Sequence, residues 1–365
     1  MLRLPAIYHV RSDARDIKAR AQAIAVEQSV EMPLSAIEDR KILDEIVGRV
    51  EGISALSPGL YAVRIGLSRA TVGDDPGQLI NMLFGNTSLQ QDVVLHDADL
   101  PPEMVTRHGG PNVGLAGLRA RAGAGNRALT CSALKPQGLA PDRLAQLAAR
   151  FARGGIDYVK DDHGLADQAY SPLAARCEAV AKALRAVERE TGRRTRYVPS
   201  LTGDLDALRA EIAAAKNAGI DTVMVQPMIM GLSNFARLVA ENRELAFFAH
   251  PTLAGTRMSP PLLFGKLFRM LGADALVFPN HGGRFGYSPD LCGELARTAL
   301  SDWHGLKPAA PVPAGGMTID RIGEMLDFYG PDVMLLIGGA LLEARERLTE
   351  ATAAFVDKVK GYRYG

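Results

Sequence analysis

The segment from residue 154 to residue 163 of this 365-residue chain carries the side chains with the greatest capacity for chemistry. It reads GGIDYVKDDH, so an apolar run ends in Lys160, Asp161, Asp162 and His163. Carboxylates and imidazoles ligate metals, and a lysine amine can act as a base. Because residues two apart on a strand share a face, Lys160 and Asp162 are predicted to point the same way. The alternative interpretation is a charged loop with an Asp–Lys pair.

From about residue 125 onward, the sequence around these residues follows one repeated pattern. A short apolar run is followed by a turn and by an Ala-, Leu- and Arg-rich segment with helical spacing. Eight such units in about 240 residues match the size of a (β/α)8 TIM barrel. Strands are predicted at 129–134, 158–160, 196–200, 222–225, 245–249, 275–278, 310–313 and 333–337, and helices at 141–152, 173–190, 205–218, 234–241, 261–271, 291–299, 319–328 and 341–359.

The strand runs are apolar throughout, which is typical of a parallel sheet covered by helices. An open doubly wound sheet is the alternative, but the count of eight and the lack of an early GxGxxG favour the barrel. Residues 1 to about 120 do not follow the strand–helix repeat. Helices are predicted there at 17–25 and 75–84 and strands at 61–67 and 93–97. A Gly- and Arg-rich stretch, 109–125, is predicted to carry the chain into the barrel.

Composition restricts the partners that this chain could have. Its net charge is +1, from 42 basic and 41 acidic residues, so no global field favours nucleic acid or an anionic membrane. The cysteines, Cys131, Cys177 and Cys292, are far apart and form no CxxC pair, which is typical of a reducing cytosol. No run is apolar enough for a signal peptide or a membrane span. The sequence therefore predicts a cytoplasmic protein that binds small molecules.

Polar residues concentrate just after the predicted strands, where TIM barrels carry their chemistry. Besides the 160–163 cluster, these positions hold Lys135, Thr202, Asp204, Gln226, His250, Asn280, His281 and Arg284, and the glycine pairs Gly315–Gly316 and Gly338–Gly339.

Several segments resemble the large chains of RuBisCO and the RuBisCO-like proteins. GGIDYVKDDHGLADQAYSPLAAR is similar to that family's GG-(L/I)-D-x-x-K-D-D-E segment. GPNVGLAGLRARAGAGNRALTCSALKP is similar to the entry to its barrel, PVPAGGM and LLIGGA to its phosphate loops, and AIAVEQSVEMP and MLFGN to site segments of its N-terminal domain. The ordered set spans nearly the whole chain and is more specific than any one member.

The resemblance implies a fold and its bounds. We expect an α/β protein with an N-terminal α+β (ferredoxin-like) domain at 1–122 and a RuBisCO-like (β/α)8 TIM barrel at 123–365. It also implies a homodimer with shared active sites, in which Glu27 and Asn86 reach into the partner's site. A plain surface charge at Glu27 and a helix cap at Asn86 are the alternatives.

The resemblance further implies roles for residues at the barrel mouth. Lys160 matches the lysine that adds CO2 to become a carbamate ligand of Mg2+ or another divalent metal, and Asp162 matches an aspartate ligand. His163 stands where the family has a glutamate ligand, and imidazole suits Mn, Fe, Zn or Co better than Mg. Lys135 matches the lysine that moves protons at the enolisable carbon, and His250 matches the strand-five histidine. Arg284 lies near the lysine of the mobile strand-six loop.

Only one of the family's two phosphate sites is retained. Gly315, Gly316, Gly338 and Gly339 match the glycine backbones of one site, where N–H groups suit a phosphate dianion. The Arg, His and Ser of the other align with Pro251, with Val277 or Phe278, and with Ala314. A second dianion there would be buried without partners. We therefore expect a substrate with one phosphate, and no CO2 fixation on a bisphosphate.

The activity implied is enolisation or isomerisation of a sugar monophosphate through a metal-stabilised enediolate. An isomerase of 5-methylthioribulose 1-phosphate suits an apolar far pocket around Pro251, Phe278 and Ala314. A decarboxylase (a lyase) or a hydrolase of a branched 3-oxo sugar-acid phosphate, such as 3-oxo-isoapionate 4-phosphate, is an alternative in which Arg284 or Arg257 binds the carboxylate. A second alternative is a non-catalytic member that binds a metabolite, which is favoured by the loss of the glutamate metal ligand at His163. The salvage enolase is a poorer match, because its base is a lysine near the position of Asn86.

Overall fold

A computed structural model describes residues 3–364, which divide into two compact units. One unit runs up to Arg107 and also includes Ala254–Leu263, and the other holds His108–Leu253 and the chain from Phe264 onward. The domain bounds 1–122 and 123–365 stay a prediction, because a compact unit is not evidence of independent folding.

The first unit contains an antiparallel sheet covered by helices. Its strand order is β2-β3-β1-β4, and α1 and α4 connect the strands in a βαββαβ pattern. The strands are β1 Arg3–Arg11, β2 Arg49–Ser57, β3 Leu60–Ser68 and β4 Val93–Ala98, and the helices are α1 Ile17–Glu27, α2 Arg40–Glu45, α3 Arg69–Val72, α4 Pro76–Phe84 and α5 Pro102–Arg107. This is the ferredoxin-like connectivity that was expected.

Strand β1 was not predicted, although its sequence carries the signal. Leu4, Ala6, Tyr8 and Val10 are fully buried, and the residues between them are partly exposed. That alternation has the period of two expected of a strand with one covered face. The segment Ala254–Leu263 adds to this sheet at β4. Leu95 N–H donates to Arg257 O, and Leu95 O accepts from Ser259 N–H, both at 2.9 Å.

The second unit is built on eight parallel strands. Two runs of neighbours, β12-β5-β6-β7 and β8-β9-β10-β11, are joined by a bridge between Ser200 and Met224, and β11 packs beside β12. The strands are β5 Leu129–Leu134, β6 Tyr158–Asp161, β7 Arg196–Val198, β8 Thr222–Val225, β9 Ala246–Ala249, β10 Ala275–Pro279, β11 Ala310–Ala314 and β12 Met334–Leu336. The predicted TIM barrel is confirmed.

Helices follow the strands, as predicted, but several bounds differ. The stretch 109–125 contains a helix, the segment after β9 is π-helical (Pro261–Phe268), and the helix predicted at 341–359 is divided by a turn at Arg345–Arg347. The helices are α6 Gly114–Ala122, α7 Pro141–Arg153, α8 Leu173–Thr191, α9 Leu205–Asn217, α10 Pro227–Met230, α11 Leu232–Glu241, α12 Pro289–Leu300, α13 Ile322–Tyr329, α14 Gly339–Leu342 and α15 Leu348–Lys360. Within residues 3–364, no helix is both long and apolar enough to cross a membrane.

The barrel core fixes which residues face inward. Cys131, Tyr158, Met224 and Phe248 belong to one buried apolar cluster contributed by the inner faces of the strands. Because side chains alternate along a strand, positions two residues further on also face inward, now at the mouth of the barrel. Those positions include Lys160 after Tyr158, Gln226 after Met224 and His250 after Phe248.

Asp161, between the two inward positions of β6, faces the helix layer and is fully buried in an ion pair. Its Oδ2 accepts from Arg176 Nε of α8 at 3.0 Å and from Ser200 N–H at 3.1 Å, and its Oδ1 accepts from Tyr197 OH at 2.7 Å. Neither charged side chain is exposed to solvent. This pairing holds β6 against α8 in one register.

We expect Arg176→Met to lower the free energy of unfolding by about 3–5 kcal/mol, because it leaves the Asp161 carboxylate buried without its cation. Arg237→Met is the matched control, since Arg237 pairs with Glu241 on the exposed face of α11 and should cost less than about 1 kcal/mol. Denaturant unfolding of both variants measures the difference. Equal costs would show that the buried pair does not hold this part of the barrel.

Candidate active site

The strand order places the predicted site residues side by side at one mouth of the barrel. The two glycine pairs follow β11 and β12, Lys135 follows β5, and the 160–163 cluster ends β6. These four strands are consecutive around the barrel. Parallel strands end at the same edge, so the glycine loops, the lysines and the acid share that mouth.

Asp162 is the centre of the hydrogen bonds at this mouth. Its Oδ1 pairs with Lys135 Nζ and lies 3.5 Å from His163 Nδ1, and its Oδ2 accepts from Gln137 Nε2 at 3.3 Å. Burial alone would raise the pKa of Asp162, but the hydrogen bonds from His163 and Lys135 outweigh burial and hold that pKa well below its usual range. The Asp162 side chain is therefore a carboxylate at neutral pH.

Lys160 is buried beside Asp162, and among residues 3–364 no carboxylate accepts a hydrogen bond from its Nζ. Its Nζ donates to the backbone carbonyl of Asp161 at 2.9 Å. Burial lowers the pKa of Lys160, and the neighbouring charge of Lys135 adds to that effect. A lowered pKa favours the neutral amine, which is the nucleophilic form of a lysine.

His250 lies against His163 at the same mouth. The two rings are stacked with centroids 4.8 Å apart and an angle of 3° between their planes, and His250 Nδ1 is 2.6 Å from Thr252 Oγ1. Burial, with added effects from Lys160 and His163, lowers the pKa of His250 to about 2. Its imidazole is therefore neutral at physiological pH and serves as a hydrogen-bonding group rather than a cation.

The glycine loops present unused backbone donors. Gly315 and Gly316 have φ values of +84° and +99°, a region that favours glycine. In residues 3–364, no protein acceptor is bonded to the N–H groups of Gly315, Gly316, Gly338 or Gly339. Free N–H groups at the loops after the seventh and eighth strands of a barrel suit a phosphate.

The structure places three residues, Arg284, Arg257 and Phe278, that the sequence associated with the substrate. Arg284 is exposed, and its N–H donates to Gly315 O at 3.3 Å, so it lies beside the glycine loop after β11. Arg257 donates to the carbonyls of Gln90 and Ser88 in the first unit, so its guanidinium is already committed to backbone acceptors. Phe278 packs on Tyr329 of α13 and therefore faces the helices, so the far pocket predicted around it is wrong at that position.

Glu27 and Asn86 lie together in the first unit. Asn86 Nδ2 donates to Glu27 Oε1 at 3.1 Å on an exposed surface. The neighbouring Gln28 is buried, and it accepts from Thr87 N–H at 3.1 Å and donates to Met82 O at 2.8 Å. Gln28 therefore joins the end of α1 to the turn that carries Asn86.

A polar group just after β7 and β8 had no role predicted from the sequence. Gln226 donates to Ser200 Oγ at 2.9 Å and accepts from Thr202 Oγ1 at 3.0 Å. These residues lie between Asp162 and His250 around the mouth. Their spacing of two residues from the inward-facing Val198 and Met224 could have predicted that they face the barrel axis. Asp204, by contrast, accepts from Ala207 N–H at 2.9 Å and caps α9.

The donors at the mouth fit a divalent cation only if Lys160 is modified. Within residues 3–364, no three His, Cys, Asp or Glu side chains are grouped as metal ligands. Asp162 and His163 offer two conventional donors. Burial lowers the pKa of Lys160, which favours the amine form that reacts with CO2, and a carbamate formed there would be a third donor.

This chain is similar to known proteins of one family. The family defined by the catalytic domain of the ribulose bisphosphate carboxylase large chain matches residues 114–287. A 5-methylthioribulose-1-phosphate isomerase of Rhodospirillum rubrum is 61% identical over 361 residues, covering 98% of this chain and 96% of that protein. Ribulose bisphosphate carboxylase-like protein 1 of Rhodopseudomonas palustris is 54% identical over 361 residues, covering 99% and 98%.

A solved structure is similar over the full length. The crystal structure of a Rubisco-like protein from Rhodopseudomonas palustris superposes with a TM-score of 0.94 at 51% identity, covering 100% of this chain and 99% of that one. The similarity therefore includes both units and is not limited to the barrel. The chain belongs to the RuBisCO-like proteins of the ribulose bisphosphate carboxylase large-chain family.

Proposed function

We propose that this protein isomerises 5-methylthioribulose 1-phosphate. The observation that carries the proposal is the 61% identity, over 96% of its length, to a relative named for that activity. The barrel mouth supports it independently, since it combines a proton-carrying lysine, a buried carboxylate and unused backbone donors for one phosphate.

Lys135 is the group that moves the proton in this proposal. Its Nζ pairs with Asp162, which fixes the direction of the Lys135 side chain at the mouth. As an amine it takes the proton from the carbon beside the substrate carbonyl, and as an ammonium it returns a proton to the other carbon of the enediolate. The carbonyl moves along the chain, and no atom is gained or lost.

The remaining mouth residues orient the substrate. The N–H groups of Gly315, Gly316, Gly338 and Gly339 bind the phosphate, and neutral His250 offers a hydrogen bond to a substrate oxygen. Pro251 and Ala314 add no side-chain donor where a second phosphate would need one. The site therefore suits one phosphate and a less polar far end, and not a bisphosphate substrate for CO2 fixation.

Asp162, His163 and a carbamylated Lys160 would hold a divalent cation such as Mg2+. When bound, the cation would supply Lewis-acid polarisation of the substrate carbonyl. Glu27 and Asn86 are proposed to close the partner's site in a homodimer. Their mutual hydrogen bond on an exposed surface supports this role, because the pair is oriented and still accessible.

Incubation of 5-methylthioribulose 1-phosphate with the enzyme in D2O should place deuterium on the carbons next to the carbonyl and give an isomeric ketose phosphate. The reason is that a proton removed by Lys135 exchanges with solvent before it is returned. NMR of the product measures the label. Absence of both label and product would reject this substrate, and a panel of other sugar monophosphates under the same conditions is the control.

Lys135→Met should lower kcat/KM at least about a hundredfold, the loss expected when an acid–base group is removed. Lys160→Met should cause a loss of similar size, because it removes a proposed metal ligand. Lys182→Met, on the exposed face of α8, is the matched control and should keep the wild-type rate. Circular dichroism checks that all three variants fold. A Lys135→Met enzyme with unchanged turnover would show that another group carries the proton.

A divalent metal and bicarbonate together should raise the melting temperature of the wild-type protein, because a ligand that binds only the folded state stabilises it. Lys160→Met cannot form the carbamate, so its melting temperature should respond to neither addition. Thermal unfolding with Mg2+, with Mn2+ and with EDTA measures the effect. An equal shift in both proteins would place the metal on other ligands.

A further inference from the structure

Asn280 is a buried polar residue that takes no part in the proposed chemistry. It follows β10 and is 1% exposed. Its Nδ2 lies 3.0 Å from Met317 Sδ and 2.9 Å from Met325 Sδ, and its Oδ1 accepts from Tyr329 OH at 2.7 Å. Both ends of the amide are therefore used, and all three partners lie outside the barrel core.

The same residue also holds the start of the glycine loop that follows β11. Asn280 N–H donates to Ala314 O at 2.8 Å, and Arg284 N–H donates to Gly315 O at 3.3 Å. Met317, which the Asn280 side chain contacts, comes directly after Gly316. One residue thus contacts the chain immediately before and immediately after the glycine pair.

The two loops pack backbone against backbone. A Cβ at Gly283 would lie 2.1 Å from Gly315 O, and a Cβ at Gly316 would lie 3.0 Å from Gly283 Cα. Backbone contacts this close leave the glycine loop little freedom while the 280–284 segment stays in place. The conformation of the glycine loop therefore depends on what fixes that segment.

We propose that Asn280 is a positioning residue that fixes Gly315 and Gly316 in the conformation that binds a phosphate dianion. The inference rests on the proposed function in one respect, namely that these glycines bind the substrate's phosphate. Asn280 acts through the loop and does not touch the substrate. An amide suits the position because it can donate to two thioethers and accept from a phenol at once. Asp lacks the donor and Leu lacks both functions.

The test replaces both members of the polar pair, Asn280→Leu with Tyr329→Phe, so that no buried hydroxyl loses its partner. The dissociation constant for inorganic phosphate is measured by calorimetric titration, and KM and kcat are measured with 5-methylthioribulose 1-phosphate. We expect the phosphate Kd and KM to rise about tenfold, the loss typical when an outer partner of a binding group is removed. We expect kcat to stay within about twofold, because the reacting groups on β5 and β6 are untouched.

Asn242→Leu is the matched control. Asn242 is also a buried asparagine of the second unit, but it follows α11 and contacts Leu238 and Lys216. It should lower the melting temperature and leave the phosphate Kd unchanged. An unchanged phosphate Kd in the double variant, or an equal rise in Asn242→Leu, would overturn the role of Asn280.

Phosphate binding and turnover separate this inference from the proposed reaction. A wild-type protein that binds phosphate without isomerising the ketose, with weaker phosphate binding in the double variant, would refute the reaction and support Asn280. If the wild-type protein isomerises the ketose while the double variant keeps its phosphate Kd, the reaction is supported and the role of Asn280 is refuted. A wild-type protein that binds no phosphate would overturn the inference.

Discussion

The register of β6 is the constraint on which the candidate site depends. Tyr158, Lys160 and Asp162 face the barrel axis, and Asp161 faces the helices in a fully buried ion pair with Arg176. A shift of one residue would exchange the two faces and bury Asp162 among helices. A buried carboxylate and guanidinium tolerate no such shift, because each would lose the charged partner that it contacts. The ion pair thus determines which side chains of β6 face the site, although it takes no part in the reaction.

Electrostatics at the mouth then follow from what the barrel buries. Lys160 is enclosed, so its amine is pushed toward the neutral form, and Asp162 stays ionised through its hydrogen bonds to Lys135 and His163. His250 is kept neutral by the same burial. The Asp162 carboxylate, the half-buried side chain of Lys135 and unused backbone donors then remain to receive a phosphorylated ketose. The arrangement separates the phosphate, held by β11 and β12, from the proton transfer on β5 and β6.

Much of this could be predicted from the sequence, because the relevant signals are local. Apolar runs and helical spacing predicted all eight barrel strands, and alternation predicted that Lys160 and Asp162 share a face. Contacts between distant residues could not be predicted in this way. Nothing in the sequence pairs Asp161 with Arg176, commits Arg257 to the carbonyls of the first unit, or links Asn280 to two methionines. The far pocket was placed on Phe278 because an alignment ambiguous by one residue cannot decide which face of a strand a side chain occupies.

The central claim is that one phosphate is held beside Lys135 and Asp162 at the mouth of the barrel. A crystal structure with a non-enolisable analogue of 5-methylthioribulose 1-phosphate tests it most directly. We expect phosphate oxygens within hydrogen-bonding distance of the N–H groups of Gly315, Gly316, Gly338 and Gly339, with the oxygen-bearing carbons facing Asp162. A phosphate bound away from these glycines, or an analogue whose reactive carbons point away from β5 and β6, would contradict it.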